Sequence, residues 1–382
     1  MNKLVLIALI FFLGNRLFAN DGDTLKLGKL PKHYFKTVFN VDYYGTQKTD
    51  LQKENFYARR LKNYQVNQIA IGLNTPLFTK DYYKKDSTQI ANFHLLLAAS
   101  YVSVIPKFEG ITTHHLVKTS VGLRGIYNNG KRSVFYAELS PFTTRDRGYR
   151  YTISRRFAST FLYDCIVNKF FSFRVGYTRS YVFGNRRHLP YLGVRVGKLD
   201  GVNLSIQFPR SITFNVPIGK YFKSSLYTKP QGGLYTMANT DSVYYLHPDK
   251  KINFGRYEFL SGLRLDIYPN TNFNFYVSAG ITSQNFIGFY SETFNKTNKN
   301  LYKAFYREFT ANAAFVNFGL VFKFGKVKSI YNNYNLYDAQ DLNNKNIDNI
   351  NSGNSQIPVK QTNNKQVKPN EMQDLIDVND FY

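Results

Sequence analysis

The stretch from 171 to 218 constrains this chain most. Phe171, Phe173, Val175, Tyr177, Tyr181 and Phe183 alternate with Ser172, Arg174, Gly176, Thr178, Ser180 and Val182. A period of two sends the two sets to opposite faces of a strand. After the breakers Gly184-Asn185-Arg186-Arg187-His188 the alternation resumes with Leu192, Val194 and Val196. It continues with Val202, Leu204, Ile206 and Phe208 beyond an Asp200-Gly201 turn, a dipeptide of tight hairpins. Ile212, Phe214, Val216 and Ile218 follow the break at Pro209-Arg210. Four successive strands thus carry one apolar face and one face of Ser, Thr, Asn, Gly and Arg. A soluble sandwich would bury such apolar faces against each other; a barrel in a membrane would turn them to lipid.

The rest of the chain favours the barrel. Asn2-Lys3, the apolar run 4–13 and Leu17-Phe18-Ala19 predict a secretory signal peptide over 1–19, too short in its apolar part to span. Residues 20–32 are polar and read as a flexible lead-in. No Cys follows the apolar run, so no lipid anchor is expected, and Cys165 is the single cysteine, so no internal disulfide can form. No later run approaches the ~20 apolar residues of a spanning helix; the longest, 93–105, is interrupted by His94, Ser100 and Ser103. A mature chain in a membrane must therefore cross with strands closed into a barrel, since an open sheet leaves backbone groups unsatisfied in lipid. The 31 Tyr and 34 Phe supply the aromatic girdles such a barrel carries, without any Trp. The net charge of +25 is spread over strands and loops with no basic helix or nucleic-acid module, so nucleic-acid binding is not expected.

The expected fold is an all-β, antiparallel transmembrane barrel of about 12 strands, within about 10 to 14, occupying 33–326. A first strand runs over 33–45 and 46–61 is a loop. The second, 63–73, changes phase near Asn67 as a bulge would, and 74–89 and 106–113 are breaks. Asn129-Gly130 is the strongest hairpin signal. Residues 229–251, with Gly232-Gly233 and His247-Pro248-Asp249, form the longest irregular stretch within the patterned region. The strand 253–268 puts Tyr257, Phe259, Leu263, Leu265 and Ile267 on one face and Arg256, Glu258, Gly262, Arg264 and Asp266 on the other. Residues 327–382 are Asn-rich, lack alternation and read as a disordered tail, because they cannot bury enough apolar surface to offset chain entropy.

The last patterned strand, 311–324, ends in Phe318, Leu320, Phe322 and Phe324 against Gly319 and Lys323. It resembles the closing strand of Gram-negative outer-membrane barrels, a signal read by their assembly machinery; here it is internal, because the chain continues to Tyr382. Leu189-Pro190-Tyr191-Leu192-Gly193 and Phe208-Pro209 are also similar to a family of uncharacterised exported barrels with no assigned activity. These resemblances cover 33–324. They imply location in the outer membrane, contact with its lipid and with the assembly machinery, and a tail in the periplasm.

Candidate chemistry is sparse. His114 and His115 are adjacent and point to opposite faces of a strand, no metal-site spacing occurs, and no cofactor is expected. His94 with Ser100, or His188 with Asp200, form catalytic pairs on paper only, without a supporting motif, so an enzyme is not expected. With the apolar face outward, Lys118, Arg124, Arg174, Arg195, Arg256, Arg264 and Lys323 face the lumen, against Glu138, Glu258 and Asp266. Two readings stay open: an interior packed with Arg–carboxylate pairs, or an electropositive lumen for a small anionic solute. The expected function is accordingly a porin-like or small-solute-binding barrel, anion-preferring. A non-conducting structural or interaction barrel is the alternative, and an outer-membrane enzyme the third. The residues specify no oligomeric state.

Overall fold

The computed structural model describes residues 36–52, 63–83, 89–109, 112–129, 133–168, 170–198, 201–219, 221–240, 250–270, 272–291 and 306–324. The expected signal peptide, lead-in and tail lie outside them.

The strands in chain order are β1 (Thr37–Thr46), β2 (Thr49–Gln52), β3 (Asn63–Tyr83), β4 (Gln89–Phe108), β5 (Leu116–Asn128) and β6 (Ser133–Asp146). After a 3-10 turn at Arg150–Thr152 come β7 (Ser154–Asn168), β8 (Phe171–Ser180), β9 (Arg187–Gly197), β10 (Asn203–Phe208) and β11 (Ser211–Ile218). The last five are β12 (Phe222–Ala238), β13 (Lys251–Asn270), β14 (Phe273–Ser291), β15 (Tyr306–Thr310) and β16 (Ala314–Phe324).

From β3 to β14 each strand pairs antiparallel with the next. β1 then joins the two ends, pairing with β3 on one side and with β16 on the other, from Thr37 opposite Phe324 to Thr46 opposite Phe315. β2 and β15 are short continuations of β1 and β16 along the same seam, paired to each other and to β3 and β14. The wall is therefore a closed barrel of 14 strands, at the upper end of the expected range. It is even in number, as antiparallel closure requires. Closure removes every sheet edge from the wall and leaves no second sheet among the described residues to cover the apolar face, so the sandwich is excluded. Leu192, Val194, Val196, Leu204, Ile206, Leu263, Val277 and Phe318 stand exposed on the outside, where lipid replaces water.

At the rim carrying Thr37 and Phe324, hereafter the terminal rim, connections are two to five residues long. At the opposite rim they run from six to fourteen, except the two-residue turn between β10 and β11. Wall height is uneven: β10 has 6 residues and β11 has 8, against 21 in β3 and 20 in β13.

Several local expectations change. The phase shift in β3 falls between Pro76 and Phe78, not at Asn67, and the strand continues to Tyr83; Pro76 sits at the bulge, where the ladder lacks nothing by losing a donor. β4 runs through Pro106, opposite Val66. β8 stops at Ser180, so Tyr181 and Phe183 belong to a loop.

The largest change is in 229–251. Residues 229–238 are strand, not irregular chain. β12 parts from β11 after Thr228, opposite Ile212, yet its ladder with β13 runs unbroken to Ala238 opposite Lys251. Beyond the split, β12, β13 and β14 are buried on both faces. They fold into the barrel. Tyr235, Met237, Ile252, Phe254, Ile287 and Phe289 on one face pack against Tyr44, Val66, Val104, Phe108 and Leu116 on the inner faces of β1–β5. Phe108 on β4 lies 6.0 Å from Phe254 and 6.2 Å from Phe289 between ring centroids, directly across the lumen. On the other face Leu234, Phe286 and Tyr290 meet Tyr181, and Phe183 packs edge-on against Tyr257. That loop lies so close that a Cβ on Gly255 would sit 2.1 Å from the Gly184 carbonyl oxygen. Gly184 itself has φ +73°, a backbone region glycine enters without steric cost.

Candidate functional site

The lumen is the candidate site. A barrel of about eight strands is filled by its own wall side chains, whereas one of about sixteen leaves a channel. At fourteen strands wall side chains alone do not fill the interior, and the in-folded sheet takes up the space.

The outer edge of that sheet is β12 from Lys229 to Ala238, which pairs with no strand other than β13 among the described residues and finds further partners in side chains. The opposite wall supplies them. Arg156 on β7 donates to the Leu234 carbonyl at 2.7 Å, to Thr236 Oγ1 at 3.0 Å, and to Thr144 Oγ1 and Asn253 Oδ1 at 2.5 Å each. Thr144 Oγ1 on β6 and Thr236 Oγ1 on β12 are 3.0 Å apart. Asp146 accepts from the Ala238 amide at 3.3 Å while held by His114 at 2.6 Å. The sheet is thus gripped on its face by β1–β5 and on its edge by β6 and β7.

The inward charges fall into separate networks. Arg124 donates to Glu138 at 3.0 Å, and Tyr136 donates to the same carboxylate. Arg174 makes two bonds to Asp164, one of 2.5 Å, and a third to Gln207 at 3.1 Å. Arg256 donates to Glu258 at 2.6 Å and to Gln68 Oε1 at 2.7 Å, and Tyr44 donates to Glu258 at 2.7 Å. The bonds to Gln68 and from Tyr44 join β13 to β3 and β1 through the interior. Arg264 binds Asp266 at 2.7 Å and lies 3.7 Å from the centre of the Tyr276 ring; Tyr276 donates to Asp42.

Of the seven inward cations expected, the structure brings Arg124, Arg174, Arg256 and Arg264 into carboxylate pairs. Lys118 lies on the same inner surface, with Nζ 4.8 Å from the Phe142 ring centre. Arg195 is half-buried, opposite Ser172 and Ser205. Lys323 is buried near the terminal rim; partial burial, and after it the Lys323 charge, hold the nearby Lys36 ammonium below the ordinary lysine value. Asp42, Asp164 and Arg156 were missed. Each sits on the inward parity of its strand, and extending the alternation to those positions would have found them. Phe318, Leu320 and Phe324 stand exposed on the outer face of β16, with Phe322 half-buried beside them.

Of the two paper catalytic pairs, His94 and Ser100 are each bonded to other residues. His94 is bonded to Thr79 at 3.1 Å and Asn92 at 2.9 Å, and Ser100 to Ser120 at 2.6 Å. His188 meets the Tyr177 hydroxyl, and Asp200 lies outside the described residues.

Between the β12 edge and the inner faces of β5–β8 a cavity of about 140 Å³ remains. Lys118, Ser120, Ser140, Thr160 and Thr178 line its wall side, and it extends to Arg210 and Lys229.

No family model and no curated protein matches the chain. Solved structures do. The transport unit of the autotransporter AIDA-I from Escherichia coli is 11% identical, over 83% of this chain and 97% of that one, with a TM-score of 0.28. The translocator domain of the autotransporter NalP from Neisseria meningitidis is 8% identical over 84% and 98%, with a TM-score of 0.30. The TodX monoaromatic hydrocarbon channel deltaS2 mutant is 6% identical over 76% and 90%, with a TM-score of 0.32. No site residue is carried over from them. By its closed antiparallel wall and its apolar exterior, this chain is a β-barrel of the outer-membrane type.

Proposed function

We propose that this protein is a gated, small-solute-binding barrel of the outer membrane, shut at rest by its own strands β12–β14 and anion-preferring once that sheet is displaced. The observation behind this reading is the split at Thr228, after which β12 leaves the wall and, with β13 and β14, crosses the lumen as one sheet still paired to β15 at its far edge. An assembly that served only to brace the barrel would gain nothing from leaving the β10–β11 wall short. The preference for anions follows from the charges on the inward face: Lys118, Arg124, Arg156, Arg174, Arg195, Arg256, Arg264 and Lys323 outnumber Asp42, Glu138, Asp146, Asp164, Glu258, Asp266 and Glu308. Screening acts over about 8 Å at physiological salt, so the excess is felt across a narrow passage. No catalytic role is proposed. The terminal rim, with its short connections, faces the periplasm, and the tail leaves from it.

A reversible lock tests the gate. Thr144→Cys with Thr236→Cys, in a Cys165→Ser background, places two thiols where the hydroxyls are 3.0 Å apart, within reach of a disulfide. The oxidised barrel is expected to cross-link and to stay silent in planar bilayers; on reduction, openings with an anion-selective reversal potential should appear. Failure to cross-link would remove the in-folded sheet. Silence in both redox states would favour the alternative, a permanently shut barrel whose loops bind a partner.

A further inference from the structure

We infer that the cavity beside the in-folded sheet binds the head of a single-chain anionic amphiphile, a long-chain carboxylate, which enters sideways from the outer leaflet over the short β10–β11 wall. The inference rests on the closed state proposed above, because β12 supplies one side of the cavity only while it is folded in.

The wall is too low at this place. A strand crossing the apolar layer takes about 9–11 residues, whereas β10 has 6 and β11 has 8, joined by nothing more than Pro209-Arg210. The neighbouring β12 departs inward after Thr228, so it does not raise the wall. The cavity reaches this low rim: Pro209 and Arg210 line it, as do Lys229 and Pro230, the first residues of β12 past the split. Directly outside, Phe208 and Ile212 are 51% and 50% exposed on the lipid-facing side. Apolar surface and cationic cavity therefore meet at one lip.

The chemistry inside fits an anionic head. Lys118, Arg210 and Lys229 surround a wall of Ser and Thr hydroxyls, and the one carboxylate among the described residues that lines it, Glu138, is engaged by Arg124 and Tyr136. The 140 Å³ of the cavity lies below the roughly 300–1,000 Å³ of a pocket that encloses a drug-sized ligand, so it takes a carboxylate and a few carbons, not a whole lipid. The remaining chain would stay outside along Phe208 and Ile212, in the leaflet from which it came.

Photolabelling of the full mature protein in phosphatidylcholine vesicles with a diazirine-bearing palmitate tests this. Labels are expected on the cavity lining and around Phe208 and Ile212. Unlabelled palmitate should displace the cavity labels, while neither hexadecanol nor acetate should. Arg210→Gln with Lys229→Gln should weaken palmitate competition about tenfold or more, the effect of losing charge-assisted hydrogen bonds. Ser140→Phe should remove the cavity labels and leave those on the outer face. Displacement by hexadecanol would reduce the site to ordinary lipid contact, and displacement by acetate would make it a site for an aqueous anion; either result overturns the inference. Those arms use the wild-type protein, so they decide even where a variant fails to fold. The Thr144–Thr236 cross-link separates the two readings: cross-linking without cavity labels sinks this inference alone, and no cross-linking sinks the closed state with it.

Discussion

At the scale of single residues, the interior is fixed by buried charges rather than by wall hydrophobes alone. Arg256 is 2% exposed and binds Glu258 and Gln68, with Tyr44 donating to the same oxygen of the carboxylate. Taking one member of a buried pair away leaves the other desolvated and uncompensated, at a cost of about 3–5 kcal/mol. Glu258→Ala should therefore lower the urea midpoint of the heat-modifiable gel shift markedly. The double variant Arg256→Met with Glu258→Leu, which leaves no buried charge, should recover most of it. Equal loss in the single and double variants would mean that the pair contributes packing and not charge. Arg264 makes the contrast: its side chain is more open to solvent, so the same kind of substitution there should matter less.

At the scale of strands, what made an element legible was whether one of its faces met lipid and the other the lumen. β8–β11, β16 and the terminal half of β13 satisfy that condition, and their alternation predicts both strand and orientation. The closing strand gives the sharpest test. Leu320 is exposed on the outer face, where an arginine near mid-depth costs about 2–4 kcal/mol, so Leu320→Arg should block assembly into the heat-modifiable form. Lys323→Gln, on the inward face, should assemble, and identical behaviour of the two would mean that the faces are reversed. β12 beyond Thr228 fails the condition. Both of its faces are buried in protein, Leu234 and Thr236 on one side and Tyr235 and Met237 on the other, so no alternation survives and Pro230-Gln231-Gly232-Gly233 reads as a break. The glycines there answer to close contact: a Cβ on Gly232 would lie 2.5 Å from the Val182 carbonyl oxygen. The candidate site was legible in the same proportion. Charges on two-faced strands could be assigned to the lumen from parity, but their partners depend on register between strands, and β12 beyond Thr228, the edge of the sheet that crosses the lumen, left no periodic trace.

At the scale of the whole molecule, the wall closes and a sheet crosses the lumen within the described residues. The wall closes where Phe324 meets Thr37, and the sheet that crosses the interior ends at Ser291. The Asn-rich stretch 327–382 lies outside the described residues, and its composition does not favour a packed core of its own. The hypothesis that this tail is dispensable for folding then has a consequence beyond folding. A chain truncated after Lys326 should still show the heat-modifiable shift, and it should also keep the barrel silent in planar bilayers, because β12–β14 remain in place. A truncated barrel that folds but conducts would transfer the plug from the in-folded sheet to the tail. One that fails to fold would place the tail in the lumen as a brace. Recording the truncated chain with the Thr144–Thr236 disulfide present distinguishes these cases: if the sheet is the gate, the oxidised form stays shut with or without the tail.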